Sequence, residues 1–230
     1  SISLGFSANK EYFSGFLRTL SWNRDRAFEL LKFAINKPRF DLQAVERVRS
    51  QILAIIRRSS EDPDHIASQK MFKALFPNHP YGKPVQGYAK SVSMINPVDL
   101  KLFQSRRLAK DNLVISVVGD IRGDSLGELI DFVFGSLPEK ASPWKLEEFS
   151  PNTGNRTIVI EKPIAQSIIR FGQAGIRRSD SDFFAAYIVN YVLGGGGFGS
   201  RLYTEVREKR GLAYSIYSYI SPFKHSGVII

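Results

Sequence analysis

The sequence contains no cysteine. That excludes a disulfide scaffold, a thiolate zinc finger, an iron–sulfur cluster and a cysteine nucleophile together. Histidine is almost as scarce, with only His65, His79 and His225. Neither His-x-x-Glu-His nor His-Glu-x-x-His occurs, so the usual zinc-peptidase constellations are missing from these residues. His79 stands in Asn78-His79-Pro80-Tyr81-Gly82, a composition that reads as a loop. No apolar run is long enough to span a bilayer, since the longest, Phe183 to Leu193, is interrupted by Asn190. The opening Ser1-Ile2-Ser3-Leu4-Gly5-Phe6 alternates and shows no basic segment followed by an apolar run, so no secretory signal is read there.

What the chain does have is ordinary globular content. Its 230 residues are 43% hydrophobic and 23% charged, enough for a packed core. The length fits one large domain or two incomplete ones. The formal charge is +10, from 32 basic and 22 acidic residues. Counted in fifties it runs +4, +2, −1 and +2, then +3 over the last thirty residues. That spread lacks the clustered stripe of a phosphate-tracking surface, so no nucleic-acid partner is expected. A diffuse positive field suits an acidic surface or a peptide equally well.

Hydrophobic spacing divides the chain into segments. Ile2, Leu4 and Phe6 alternate as a strand and lead through Asn9-Lys10-Glu11 into a second strand. Ala27, Leu30, Leu31, Ala34 and Ile35 form one helical face that Pro38 stops. Asp41 opens a longer helix through Ile56, and Asp62-Pro63 opens a third. Asn96-Pro97 starts another, and residues 123–135 repeat the pattern. Asn112 to Gly119 is β-branched and reads as a buried strand. The polar stretch around 141–155 is read as a linker between residues 1–140 and 156–230. Beyond it, strands are expected near 156–162, 166–174, 213–221 and 226–230, with helices near 180–193 and 200–209. Gly227-Val228-Ile229-Ile230 reads as a strand still running at the last residue, the pattern expected of a fragment.

Gly194-Gly195-Gly196-Gly197-Phe198-Gly199 satisfies the dinucleotide spacing G-x-G-x-x-G, yet a helix-like segment precedes it where that motif needs a strand. The run reads instead as a flexible connection whose bare backbone can approach an extended peptide closely. After it, Ser200 to Lys209 forms a short basic helix that ends at Gly211 and passes into an aromatic strand. Arg207 lies in the last turn and Tyr214 near the start of the strand. A guanidinium and a phenol placed this way can both donate to one carbonyl oxygen. From spacing alone, a capped helix with its normal C-terminal cations accounts for the same residues.

The run Gly194 to Ser215 resembles the second domain of the insulinase/pitrilysin family of zinc peptidases, which includes the mitochondrial processing peptidase. Asn78-His79-Pro80-Tyr81-Gly82-Lys83-Pro84-Val85-Gln86-Gly87 and Asn112 to Asp120 resemble the latter part of that family's first domain. The resemblance implies an α+β fold of two related two-layer sandwich domains of the LuxS and processing-peptidase kind. Each would have a mixed, largely antiparallel sheet with helices on one face. Residues 1–140 would then be the latter part of the first domain, and 156–230 the first half of the second. It implies that Arg207 and Tyr214 act on the substrate carbonyl, that Gly194, Gly195, Gly196 and Gly197 lie in a substrate-binding segment, and that Glu46 matches the third zinc ligand. As a plain helix residue near Arg49, Glu46 would instead be an exposed ion-pair partner.

The metal motif should precede Ser1 in that family, and three readings follow. The chain is the non-catalytic, substrate-binding half of a zinc peptidase assembly, or a catalytic peptidase whose motif lies upstream, or a structural assembly subunit. In the first, zinc belongs to the complete assembly and none is expected in this chain alone. The expected partners are a peptide or unfolded polypeptide and a second subunit, as a homodimer or a heterodimer with a catalytic zinc peptidase. Kinship also implies a periplasmic or secreted location.

Overall fold

Capping residues set the helix starts. The Asp62 carboxylate accepts the Asp64 N–H at 3.0 Å and opens α3 (Pro63–Leu75), with Pro63 in the first turn where no N–H is needed. Asn96 accepts from Val98 and Asp99 N–H groups, and Asp99 reaches back to the Asn96 N–H, a reciprocal box that starts α5 (Pro97–Arg107). The remaining helices are α1 (Arg24–Asn36), α2 (Leu42–Ser59), α4 (Ala89–Met94), α6 (Gly123–Phe134) and α7 (Phe183–Asn190). Strands are β1 (Ser3–Ala8), β2 (Phe13–Arg18), β3 (Gln173–Ala174), β4 (Ile220–Pro222) and β5 (Gly227–Ile229). This computed structural model describes residues 1–142 and 145–230; residues 143 and 144 of the expected linker lie outside the described residues.

The fold is α+β, and every ladder among the described residues is antiparallel. Two units form. The first comprises Ser1–Ile56 and Gln86–Lys145, and the second Arg57–Val85 and Leu146–Ile230. In the first, β1 and β2 make a hairpin with Phe6 opposite Gly15 and Phe16 opposite Gly5. Asn9 fixes its turn, its side-chain oxygen accepting from the Glu11 and Tyr12 N–H groups. α1 packs on α6 around buried Ala27, Ile35, Val133 and Leu137. Asn36 Nδ2 donates to the Val133 carbonyl at 2.7 Å, and Gln104 donates to the Ile35 carbonyl. Arg49 holds α2 to α4 by donating to the Val92 and Ile95 carbonyls.

The second unit is built on aromatic rings. Leu75, Phe76, Tyr81 and Val228 are its buried core, with Phe72, Phe149 and Phe223 packed around them. Phe76 meets Tyr81 edge-on at 5.6 Å, and Tyr81 stacks on Phe223 at 4.3 Å. Strand order is β3-β5-β4. Arg170 Nη2 donates to both Asp64 carboxylate oxygens and ties the segment before β3 to α3.

Several expected strands do not form. Residues 113–118 join no ladder, and Val114 is 91% exposed. Residues 156–162 also join no ladder, and of the 166–174 expectation only Gln173–Ala174 is paired. Of the 213–221 expectation, Ile220 and Ser221 are in β4, while Tyr219 exchanges backbone hydrogen bonds with Ile230. Their β-branched and aromatic residues favour extended backbone, but a ladder also needs a neighbouring strand, which local sequence does not specify.

Candidate functional site

The glycine run is packed at its first residue. After α7 the backbone widens to an i→i+5 turn over Tyr191–Gly195, closed by the Gly196 N–H to the Tyr191 carbonyl at 2.8 Å. A tight turn over Gly197–Gly199 follows. Gly194 is buried, and a Cβ there would lie 2.4 Å from Ser218 Oγ and 2.7 Å from the Ser218 backbone nitrogen. Ser218 and Asn190 interlock alongside, Oγ to Oδ1 at 2.9 Å and Nδ2 to the Ser218 carbonyl at 3.2 Å. The close approach thus fixes the run against the segment that carries Tyr214. Gly195 and Gly197 are exposed and Gly196 is half-buried.

Ser200 joins that turn to the basic helix. Its hydroxyl donates to the Gly197 carbonyl at 2.8 Å and accepts from the Tyr203 N–H at 3.4 Å, an N-cap arrangement. The helix over Tyr203–Glu208 is again wide, its Lys209 N–H reaching the Thr204 carbonyl at 3.0 Å. Such turns are rare and concentrate at functional sites. It ends at Gly211, φ +61°, whose N–H donates to the Arg207 carbonyl at 2.9 Å; the left-handed conformation reverses the chain toward Tyr214.

That reversal brings the two expected side chains together. The Arg207 guanidinium carbon lies 4.7 Å from the centroid of the Tyr214 ring. Tyr214 is 82% exposed, and Arg207 is half-buried. Sequence reasoning missed a third member: Tyr203, only 9% exposed, has its centroid at the same 4.7 Å from the guanidinium. Its i, i+4 spacing to Arg207 was the available signal. Nearby, the Lys209 ammonium, hydrogen-bonded to Glu205 at 2.6 Å, holds that carboxyl below its ordinary range, with Arg210 and Arg201 reinforcing the effect. Glu205 is thus paired with Lys209, while the Arg207 guanidinium lies against the exposed Tyr214 ring. A guanidinium against the ring of a tyrosine that also carries an O–H donor can bind an oxygen that gains negative charge.

Glu46 sits on α2 in the first unit. Arg49 donates to both its oxygens, at 3.0 and 3.1 Å, which is the ion-pair arrangement of an exposed helix residue. Arg49 takes one lone pair on each Glu46 oxygen. Among the described residues no group of three His, Asp or Glu gathers to hold a metal ion. The residues present therefore do not fit a zinc site by themselves. Gly123-Asp124-Ser125-Leu126-Gly127 has the spacing of a serine-nucleophile elbow, which sequence reasoning passed over. It forms the exposed first turn of α6 with no strand leading into it, and so lacks the strand–turn–helix context that motif requires. His79 is buried against Phe76, Tyr81 and Phe149, its Nδ1 accepting the Tyr81 N–H at 3.2 Å. Burial holds its imidazole below the usual pKa and His225 adds to this, against a backbone hydrogen bond at Glu147. It is a core residue.

With this geometry in place, comparison with known proteins gives a consistent result. Residues 95–230 match the family described as the peptidase M16 inactive domain. The chain is similar to an uncharacterized zinc protease of Mycobacterium leprae, 30% identical over 96% of this chain and 50% of that protein. It is also similar to the uncharacterized zinc protease YmxG of Bacillus subtilis, 28% identical over 96% of this chain and 53% of that one. Among solved structures, the peptidase M16 inactive domain from Pseudomonas fluorescens superposes with a TM-score of 0.87 at 33% identity, covering 99% of this chain and 56% of that one. The chain thus spans about half the length of the relatives it matches.

Proposed function

Because the chain belongs to the peptidase M16 family through its inactive domain, we propose that it is the substrate-binding, non-catalytic part of a zinc-dependent endopeptidase. Arg207 and Tyr214 donate to the carbonyl oxygen of the scissile peptide bond. As water adds to that carbonyl, negative charge grows on its oxygen, and two fixed donors stabilise the charge more than they stabilise the neutral ground state. The observation that carries the reading is the 4.7 Å approach of the Arg207 guanidinium to the ring of an exposed tyrosine. Gly194 to Gly197 lie along the substrate in this reading, their backbone accessible because Gly195 and Gly197 are exposed.

This chain provides neither the attacking water nor its base; those come from polypeptide outside this sequence or from a second subunit, homodimeric or heterodimeric. Zinc in the complete assembly is held by residues from the same sources, and Glu46 is the one residue of this chain proposed to join them. Residues 1–140 are read as the latter part of one sandwich domain, 141–155 as a linker and 156–230 as the first half of a related domain. The half coverage of the relatives supports reading the chain as parts of a longer protein. No helix among the described residues is long and apolar enough to cross a membrane. A periplasmic or secreted location is part of the same proposal, tested by cell fractionation.

The experiment is turnover of a fluorogenic peptide by the complete protein. Arg207→Ala is expected to lower kcat by roughly 10²–10³-fold, as loss of an oxyanion donor does. A subunit that serves only to hold an assembly together would show unchanged turnover, and that result would refute the assignment.

A further inference from the structure

The chemistry proposed above uses two side chains of a larger arrangement. Tyr203 is buried and lies one turn before Arg207, with its ring 4.7 Å from the guanidinium carbon. Phe198, from the glycine run, meets that ring edge-on, centroids 4.9 Å apart at 89°. Ser200, 1% exposed, bonds to Gly197 on one side and to the Tyr203 N–H on the other. Phe198, Tyr203 and Arg207 are thus in continuous contact from the glycine turn to the guanidinium.

We propose that Tyr203 is a positioning residue that fixes Arg207 for the substrate carbonyl and couples it to the glycine turn. The proposal rests on the role given to Arg207 above. An arginine side chain has several free rotors, and a cation attracted to a buried ring loses much of that freedom before substrate arrives. The useful group is the π-face, so phenylalanine should serve as well as tyrosine. When a peptide displaces Phe198, the edge contact on Tyr203 changes, and the guanidinium responds. Substrate occupancy of the glycine turn is thereby transmitted to the group that stabilises the developing charge.

The test uses the complete protein with a fluorogenic peptide, together with the NMR signal of the Arg207 Nε–H, which ring currents displace when an aromatic face lies against it. Tyr203→Phe should retain both kcat and the displaced signal. Tyr203→Leu should move the signal only part of the way toward the ordinary arginine position, because the Tyr214 ring still lies 4.7 Å from the guanidinium, and lower kcat by roughly 10-fold at nearly constant KM. Phe198→Leu, at an exposed position, should shift the signal by less and lower kcat in proportion; it keeps the test open if Tyr203→Leu does not fold. An unmoved signal and unchanged kcat in the leucine variants, with Arg207→Ala still impaired, overturn the positioning role and leave the proposed function standing. If Arg207→Ala is unimpaired, the proposed function fails, and the signal alone then decides whether Tyr203 holds Arg207.

Discussion

Gly194→Ala tests whether the glycine run is packed or merely flexible. The added methyl would stand 2.4 Å from Ser218 Oγ, 2.7 Å from the Ser218 nitrogen and 2.8 Å from Leu202 Cδ1, all well inside the 3.4 Å where ordinary contact begins. The hydroxyl can turn away only by giving up its bond to Asn190, worth about 1 kcal/mol. The backbone nitrogen cannot turn at all, so the segment must shift, and overpacking of this kind costs about 1–3 kcal/mol. Alanine's better helix propensity returns up to about 1 kcal/mol, which roughly cancels the lost hydrogen bond. The net expectation is a loss of about 1–3 kcal/mol, or a Tm lowered by roughly 3–10 °C for a chain of this size. Thermal unfolding followed by circular dichroism reads it. Gly127→Ala is the matched control, because Gly127 lies in α6 with nothing within 4 Å of the added methyl; its Tm should stay level or rise. A Gly194→Ala protein that melts with the wild type would refute the packing argument.

Three further outcomes follow from the geometry. The His79 pKa is depressed in the folded state, so below the ordinary histidine range the unfolded chain binds a proton that the folded chain resists. Stability should be full above about pH 6.5 and fall as pH drops below it; His79→Asn, scanned by Tm from pH 7.5 to about 5.5, should flatten that slope. Arg49→Ala removes donors to Glu46 and to the Val92 and Ile95 carbonyls and should destabilise by about 1.5–3 kcal/mol in urea unfolding. Glu46→Gln keeps the side-chain shape and, in the purified 230-residue chain, should leave bound zinc at background by elemental analysis; a loss of stoichiometric zinc on this substitution would contradict the ion-pair account.

Much of the fold could be read locally. Asp62 and Asn96 marked helix starts because a short polar side chain followed by proline satisfies orphan N–H groups whatever the rest of the chain does. Strand pairing could not be read in the same way. Residues 112–119 have every local mark of a strand, yet a ladder depends on a neighbour remote in sequence. The packing of Gly194 could not be read for a related reason: it is made by Ser218, remote in sequence and bonded to Asn190. Arg207 and Tyr214 stood out through the family resemblance. Tyr203 did not, because an aromatic on a short helix looks like any other core contact until its ring is seen beside the guanidinium.

The central claim is that Arg207 and Tyr214 act on one oxygen. A double-mutant cycle on kcat/KM of the complete peptidase, with Arg207→Ala, Tyr214→Phe and both together, measures this most directly. Joint action predicts that the double variant loses clearly less than the product of the two single losses, because removing either donor already disables much of the shared site. Losses that multiply, or a wild-type rate in either single variant, would contradict it.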